Sequence, residues 1–348
     1  MRKLLGVLIA AALAGCGSSD NGGSGADAGT TGQTCDTETT CVGNDVYACN
    51  GDGTIGGFQQ SCGQNACING GCTDDCTAQG ADLIYVVDDN YVLYSFDPRA
   101  LGSGSDPFSR VSSLSCGSCT AWPDWSGSCT PFSMSVDRNG TAWVLYTSGD
   151  IFHVDINTGQ CSPSGFVAGQ SPAGAPSGGY KLFGMGFVSD AAGSNAETLY
   201  IAGGPVDASG SAGHLGTIDA NTMTVTDIGA LQSAEFSPEL TGTGKGELYG
   251  YYPGTSSSMI ANLSKSNAQR GTSWNMAGLG GQVAAWAFAH WGGQFYVFVS
   301  TADDFTGAIT SNVVLLDPNS GNENVVLPDH GHTIVGAGVS TCAPIVVP

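Results

Sequence analysis

The chain has 348 residues, of which 30 are Asp or Glu and nine are Lys or Arg, so its formal net charge at pH 7 is −21. A field of that sign repels nucleic-acid phosphates and anionic lipid headgroups. This excludes nucleic acid as a partner and leaves cations or neutral sugars as the better ligands.

The first sixteen residues have the pattern of an export signal. Arg2 and Lys3 precede an apolar run at residues 4–13, which is too short to cross a bilayer roughly 30 Å thick. The run closes with Leu-Ala-Gly-Cys at Cys16 and resembles the lipobox of bacterial lipoproteins. That resemblance implies that the Cys16 thiol is acylated and anchors the mature chain in a membrane. An ordinary secretory signal with an accidental cysteine is the alternative.

The residues after the lipobox predict a tether. Gly17, rather than Asp, follows Cys16, and by resemblance to Gram-negative sorting rules this implies the outer membrane, with the face left open. Residues 17–34 are mostly Gly, Ser, Asp and Thr and predict a flexible linker with a reach of roughly 20–25 Å. Removal of Arg2 and Lys3 with the signal leaves a net charge of −23.

Cysteines dominate residues 35–76, which we interpret as a separate disulfide-rich module. Twelve cysteines remain in the exported chain, an even number that favours disulfide bonds. Six of them crowd into a stretch with few apolar side chains: Cys35, Cys41, Cys49, Cys62, Cys67 and Cys72. Such a stretch depends on cross-links for its stability. Its spacing resembles a Cys-rich module of secreted and lipid-anchored proteins from Gram-negative soil bacteria. A zinc cluster is the alternative.

Three recurring patterns in residues 77–348 predict an all-β repeat. Aromatic segments centred on Tyr85, Trp143, Tyr200, Tyr249 and Tyr296 recur at steps of 58, 57, 49 and 47 residues. This spacing is typical of a four-stranded propeller blade. Runs of alternating small and large residues precede the segments and predict innermost strands, at residues 132–136, 183–187, 234–238, 286–290 and 335–339.

The third pattern is a set of Asp-containing turns, which predict tight hairpins between third and fourth strands. The aspartates are Asp97, Asp155, Asp219 and Asp317. We favour turns over calcium sites, because one carboxylate per turn supplies too few ligands for calcium.

The number of runs predicts a five-bladed β-propeller closed by its C-terminal strand. The first blade lacks an innermost strand, and residues 334–340 are left without a blade, so we expect them to pair with residues 82–87. Closure places Cys76 and Cys342 at the same end, where a disulfide bond would stabilise the fold by roughly 4–5 kcal/mol. Among Cys116, Cys119, Cys129 and Cys161 the pairing stays open, although Cys119–Cys129 within one loop is attractive.

Residues 82–345 also resemble a family of uncharacterised bacterial lipoproteins. The resemblance is carried by residues 131–137, 183–190, 239–244, 286–292 and 335–342. It implies the same Cys-rich module followed by a propeller-like domain, and it implies no activity.

One rim of the predicted propeller collects the loops that join one blade to the next. Trp122 and Trp125 lie in the 119–129 loop and suit stacking against a sugar, although they could instead fill the neighbouring blade. Asp329, His330 and His332 offer zinc or copper ligands. No fourth ligand is identifiable, and a solvated turn is the better interpretation.

Catalytic candidates are sparse. A furanosidase-type hydrolase needs two carboxylates around the central funnel, and the candidates are Glu235 with Asp137, Asp190 or Glu239. Asp137 belongs to a good turn sequence, and His290 on an apolar inner strand reads as a hydrogen-bonded core residue. No motif indicates a cofactor.

We therefore hold three functional hypotheses. The first is a lipid-anchored, non-catalytic binding or adhesion protein whose rim holds a glycan, a cation or a protein. The second is a furanosidase-type glycoside hydrolase that uses the funnel carboxylates. The third is a structural scaffold of the envelope. We favour the first because its turn sequence accounts for Asp137 without catalysis and no convincing catalytic set is present.

Overall fold

A computed structural model describes residues 39–42, 45–62, 67–68, 71–72, 78–117, 129–192, 194–204, 213–232, 237–254 and 257–345. The predicted signal, the lipobox at Cys16 and the 17–34 linker lie outside these residues. Within the described part of the chain, no helix has the length and apolar character needed to cross a membrane.

The Cys-rich region forms two small sheets. Its strands are β1 Thr39–Val42, β2 Asp45–Cys49, β3 Ile55–Ser61, β4 Cys67–Ile68 and β5 Gly71–Cys72. Strands β1, β2 and β3 form an antiparallel sheet, and β4 pairs with β5. Cys49 and Cys62 are both disulfide-bonded, as expected of a segment with few apolar side chains.

Twenty further strands follow, with one 3-10 turn at Pro98–Ala100. They are β6 Ile84–Asp88, β7 Val92–Phe96, β8 Phe108–Ser113, β9 Pro131–Val136, β10 Thr141–Tyr146, β11 Ile151–Asp155, β12 Cys161–Pro163, β13 Leu182–Ser189, β14 Glu197–Gly204, β15 His214–Ile218, β16 Val225–Ala230, β17 Glu239–Gly242, β18 Leu248–Tyr252, β19 Ser257–Leu263, β20 Arg270–Ala277, β21 Gln282–Trp291, β22 Gln294–Ala302, β23 Ile309–Leu316, β24 Glu323–Leu327 and β25 Ile334–Val339.

These strands form five four-stranded antiparallel sheets. Sheet I has the order β25-β6-β7-β8, and sheets II to V are β9–β12, β13–β16, β17–β20 and β21–β24. The inner strands β25, β9, β13, β17 and β21 each contact the next one around a closed ring. This is the arrangement of a β-propeller, so the predicted all-β propeller fold is confirmed.

The C-terminal strand completes the first sheet, as the sequence predicts. Gly338 pairs with Tyr85 and Ala337 with Val86 in an antiparallel ladder between β25 and β6. The predicted aromatic segments form the second strands of all five sheets, and Asp155 and Asp219 accept backbone hydrogen bonds within the predicted turns. Closure pairs the inner edge of β6 and gives sheet I its fourth strand.

Glycine allows the inner strands to approach closely. A Cβ on Gly338 would lie 2.8 Å from the carbonyl carbon of Ser135, and one on Gly184 would lie 2.7 Å from the Glu239 Cα. Successive glycines of one inner strand lie against successive residues of the next inner strand, in the same chain direction. Neighbouring inner strands are therefore parallel. Each inner strand begins near the loops that connect one sheet to the next, and we call this side of the ring the loop end. Each ends near the hairpin turn that leads to the second strand of its sheet, and we call this side the turn end.

One predicted inner strand is displaced. The 234–238 run was expected to form the inner strand of sheet IV, but that strand is β17, which begins at Glu239. Pro238 lacks a backbone N–H and precedes the strand, while Leu240 and Thr241 pair with Gly250 and Tyr249. Glu239 rather than Glu235 therefore opens this strand.

Apolar side chains fill the space between neighbouring sheets. One cluster joins sheets I and V through Phe96, Phe298 and Trp291, and the other four fill the remaining interfaces in the same way. A disulfide bond between Cys116 and Cys161 ties the loop after β8 to the outermost strand of sheet II. It resolves part of the pairing that the sequence leaves open.

Candidate binding cleft

Several predicted site residues lie outside the described residues. These are Cys16, Cys76, Cys119, Trp122, Trp125 and Glu235. Cys129 and Cys342 are described, and both are disulfide-bonded. The pairings Cys76–Cys342 and Cys119–Cys129 and the tryptophan surface on the 119–129 loop remain predictions.

The two histidines of the predicted metal site lie in contact with aromatic rings. His332 packs on Tyr94 with ring centroids 4.6 Å apart, and His330 packs on Phe108 at 5.0 Å. His330 Nδ1 accepts the backbone N–H of His332 at 3.3 Å. Among the residues that the structure describes, no three His, Cys, Asp or Glu side chains are arranged to hold a metal. The metal assignment to Asp329, His330 and His332 remains a prediction, and the two imidazole rings pack against β7 and β8.

Two of the catalytic candidates are structural carboxylates at the turn end. Asp137 accepts the backbone N–H groups of Asn139 and Thr141, both at 2.9 Å. Asp190 is exposed and accepts the Thr198 hydroxyl at 2.7 Å. Both follow the last residue of an inner strand, so their hydrogen bonds fix the hairpin turns.

Glu239 lies buried at the centre of the ring and joins three sheets. Its Oε1 atom accepts the Ser133 hydroxyl at 2.5 Å and the Met185 backbone N–H at 3.3 Å. Ser133 belongs to β9, Met185 to β13 and Glu239 to β17. Burial raises the pKa of Glu239 to about 8, so the carboxyl group is mostly protonated at neutral pH.

A second carboxyl group, Glu197, joins sheets at the turn end. It accepts the Arg138 backbone N–H at 2.8 Å and the Thr341 hydroxyl at 2.7 Å. Thr341 follows β25, so the bond links the C-terminal segment of sheet I to sheet III. Burial raises the pKa of Glu197 to about 7. The sequence gives no signal for this residue, because its partners lie 59 and 144 residues away.

Glu239 and Asp137 do not form the close carboxyl pair of a glycoside hydrolase. Glu239 bonds to Ser133, and Asp137 lies four residues beyond Ser133 along the direction of β9. At about 3.3 Å per residue this separation is about 13 Å, whereas the two carboxyl groups of such hydrolases lie about 5–9.5 Å apart. The hydrogen bonds that Glu239 and Asp137 accept hold strands and turns in place.

Several functional groups converge in a cleft between sheets IV and V at the turn end. The cavity has a volume of about 620 Å³, within the range of small-molecule sites. We define the cleft by six of its lining residues: Lys245, Glu247, Tyr249, Trp274, His290 and Gln294. It faces away from the loop end, where sequence reasoning places the binding surface.

The strands hold the aromatic wall of the cleft in place. The Trp274 indole N–H donates to the Pro318 carbonyl at 3.0 Å. Its ring lies 5.5 Å from Phe295 and 6.3 Å from Tyr249, and Tyr249 stacks on His290 at 5.9 Å with an interplanar angle of 12°. Tyr249 and Trp274 are half-buried, so each ring keeps one part open to solvent on a supported frame.

Some polar groups of the cleft are held by local hydrogen bonds, and others are not. Glu247 hydrogen-bonds the Tyr249 hydroxyl, and Asp317 accepts the Asn319 backbone N–H and the Ser320 hydroxyl. Both carboxylates are thus oriented locally. Within the described part of the chain, the Lys245 amine and the Gln294 carboxamide have no hydrogen-bond partner.

Burial tunes the ionisable groups of the cleft. Burial, followed by the nearby Lys245, lowers the pKa of His290 to about 4. The imidazole is therefore neutral at physiological pH, as expected of the core residue that the sequence predicts. Burial and the Glu247 carboxylate raise the pKa of Tyr249. The cleft thus presents a phenol, a neutral imidazole, one cation and two carboxylates.

Comparisons with known proteins give distant structural likenesses alone. No family model and no curated protein matches it. Similar solved structures include a protein from Lactobacillus plantarum, 12% identical with a TM-score of 0.37 over 87% of this chain and 82% of that one. TolB from Acinetobacter baumannii is 11% identical, with a TM-score of 0.38 over 74% and 66%. An alpha-L-arabinofuranosidase from Clostridium thermocellum is 18% identical, with a TM-score of 0.35 over 59% and 76%. At these TM-scores we draw nothing about function from the likenesses.

Proposed function

We propose that the five sheets are the blades of a five-bladed propeller that binds a small polar ligand without transforming it. We also propose that lipids on Cys16 hold the protein at the cell envelope, by the lipobox resemblance. The observation that carries the binding role is the cleft, which combines a supported aromatic wall with uncommitted polar groups in one cavity.

The placement of the carboxyl groups supports binding over catalysis. Glu239 is 3% exposed and bonded within the ring, and Asp137 holds a turn. A hydrolase would need an accessible acid and a second carboxylate at a fitting distance. In the cleft, Glu247 and Asp317 are both exposed or half-exposed, and burial gives neither the environment of a general acid.

The rigidity of the cleft also supports binding. Its residues come from β18, β20, β21, β22 and the turns after β17 and β23, and neighbouring strand ladders fix the backbones of those that lie on strands. A ligand therefore meets a preformed aromatic wall, and the entropy cost of association falls mainly on the Lys245 and Gln294 side chains.

A thermal-shift screen tests this proposal. The mature chain from Gly17, exported behind an ordinary secretion signal, is screened against saccharides, amino acids and short peptides, with Trp274→Ala in parallel. We expect a ligand that raises the melting temperature of the wild type and not of the variant. A ligand that stabilises both proteins equally would place binding elsewhere, and the absence of any stabilising ligand would contradict a small-molecule role.

A further inference from the structure

We infer that the cleft between sheets IV and V receives a neutral sugar residue, an inference that rests on the proposed binding function. Three independent features of the cleft carry it: the geometry of the aromatic wall, the mixture of hydrogen-bonding groups and the local balance of charge.

The aromatic wall suits the apolar face of a sugar ring. Sugar rings expose C–H groups on one face, and these pack on flat aromatic surfaces. Tyr249 and Trp274 lie 6.3 Å apart and are inclined by 54°, so they form an angled pair rather than a flat stack. Because the Pro318 carbonyl fixes the indole, the ligand does not have to order it.

The hydrogen-bonding groups suit hydroxyls better than other ligand groups. A hydroxyl donates one hydrogen bond and accepts others. The cleft offers acceptors in the Glu247 carboxylate and donors in the Lys245 amine and the Gln294 carboxamide. A ligand that only accepts, such as a phosphate, would leave the carboxylate unmatched, and an aliphatic ligand would leave all three groups unpaired.

The charge balance argues against acidic sugars. Among the described residues that line the cleft, Lys245 is the one cation, whereas Glu247 and Asp317 contribute two negative charges. The chain as a whole carries a net charge of −21. A carboxylated sugar would therefore meet repulsion both on approach and within the cleft.

A glycan array followed by calorimetry tests the ligand class. The mature chain from Gly17 is probed with neutral oligosaccharides, and the best neutral ligand is then compared with its counterpart carrying a carboxylate at C6. We expect the neutral sugar to bind, the acidic counterpart to bind several-fold more weakly at low salt, and the difference to narrow at high salt. Trp274→Ala should weaken binding about tenfold.

Matched variants separate the contributions. Lys245→Met should weaken binding of the neutral sugar several-fold, and Lys181→Met, outside the cleft, should not change it. Tighter binding of the acidic counterpart would overturn the neutral-sugar assignment and keep the binding function. The neutral-sugar assignment is also wrong, and the binding function is kept, if no glycan binds while another small molecule stabilises the wild type but not Trp274→Ala. If no small molecule binds at all, the proposed function itself fails.

Discussion

The Glu239 carboxyl group accepts a hydrogen bond from the Ser133 hydroxyl at 2.5 Å, although 106 residues separate them in the chain. The bond crosses the centre of the ring between β9 and β17, and the same oxygen accepts the Met185 N–H of β13. Sheets II, III and IV thus share one buried carboxyl group. At the turn end, Glu197 connects sheets I, II and III in the same manner.

Removal of the Glu239 side chain should destabilise the fold. Glu239→Ala leaves the Ser133 hydroxyl and the Met185 N–H without their acceptor and opens a cavity, so we expect a loss of about 2–4 kcal/mol in the free energy of unfolding. Glu239→Gln keeps the shape and a carbonyl acceptor and should cost less than about 1.5 kcal/mol. Urea denaturation measures both. Equal losses in the two variants would contradict the role given to the buried hydrogen bonds.

The same residue predicts a pH dependence of stability. The pKa of Glu239 is about 8 in the folded protein, above its ordinary value of 4.5. The folded state therefore holds a proton that the unfolded state has released, and this contribution to stability is complete below pH 4.5 and lost as the pH rises to 8. Burial also raises the pKa of Glu197, to about 7, so both groups contribute to the loss of stability between pH 7 and 8, and Glu239→Gln removes the share of Glu239. Thermal melts should show a falling melting temperature over that interval in the wild type and a flatter profile in Glu239→Gln.

Acid should destabilise the protein through His330. Burial, followed by the neighbouring His332, lowers the pKa of His330 to about 4 from an ordinary 6.5. Its contribution to stability is present above pH 6.5 and lost as the pH falls through 4. His290 has the same direction of shift, so His330→Gln should reduce the acid loss without abolishing it. An unchanged acid profile in this variant would show that the ring is not buried against Phe108.

The Glu197–Thr341 hydrogen bond should protect the closure of the ring. It fixes the residue that follows β25, the strand that completes sheet I. In Thr341→Val, we expect faster amide exchange in Ile334–Val339 and in Ile84–Asp88, and a loss of about 1–2 kcal/mol in the free energy of unfolding. Thr243→Val serves as the control at another first hairpin turn, because the hydroxyl of Thr243 bonds to Glu247 within its own turn. Equal exchange in the wild type and Thr341→Val would contradict the role given to the Glu197–Thr341 hydrogen bond in the closure of the ring.

The lipid anchor is tested independently of the fold. Cells that express the protein should incorporate a labelled fatty acid into it, and Cys16→Ser should lose both the label and the membrane fraction. Gly17→Asp serves as the paired variant, since the sorting resemblance predicts that it keeps the label and moves to the inner membrane. Labelling of Cys16→Ser would assign acylation to another residue.

Much of the fold follows from local patterns in the sequence. The aromatic segments predict the second strands, and the run without a blade at residues 335–339 predicts closure, because both patterns lie within single strands. The inner strand of sheet IV is missed because residues 234–238 imitate its alternation of small and large side chains. Pro238 before β17 was a signal that could have corrected the register.

The cleft and the two carboxyl groups that join sheets, Glu239 and Glu197, could not be predicted from the sequence. Tyr249 is recognised as a strand residue, and His290 as a core residue, yet their stacking depends on the packing of β18 against β21. Trp274 lies on β20 and meets the turn after β23 through a bond that spans 44 residues. Only the order of the sheets around the ring brings these groups together.

The most direct test of the account is the footprint of the bound ligand on the protein. Amide exchange with and without the ligand found in the screen should show protection confined to peptides that cover residues 245–249, 274 and 290–294, with the turn at 317–319. Protection of the loop-end segments at residues 169–181 and 279–283, with the cleft unchanged, would contradict the assignment of the binding site.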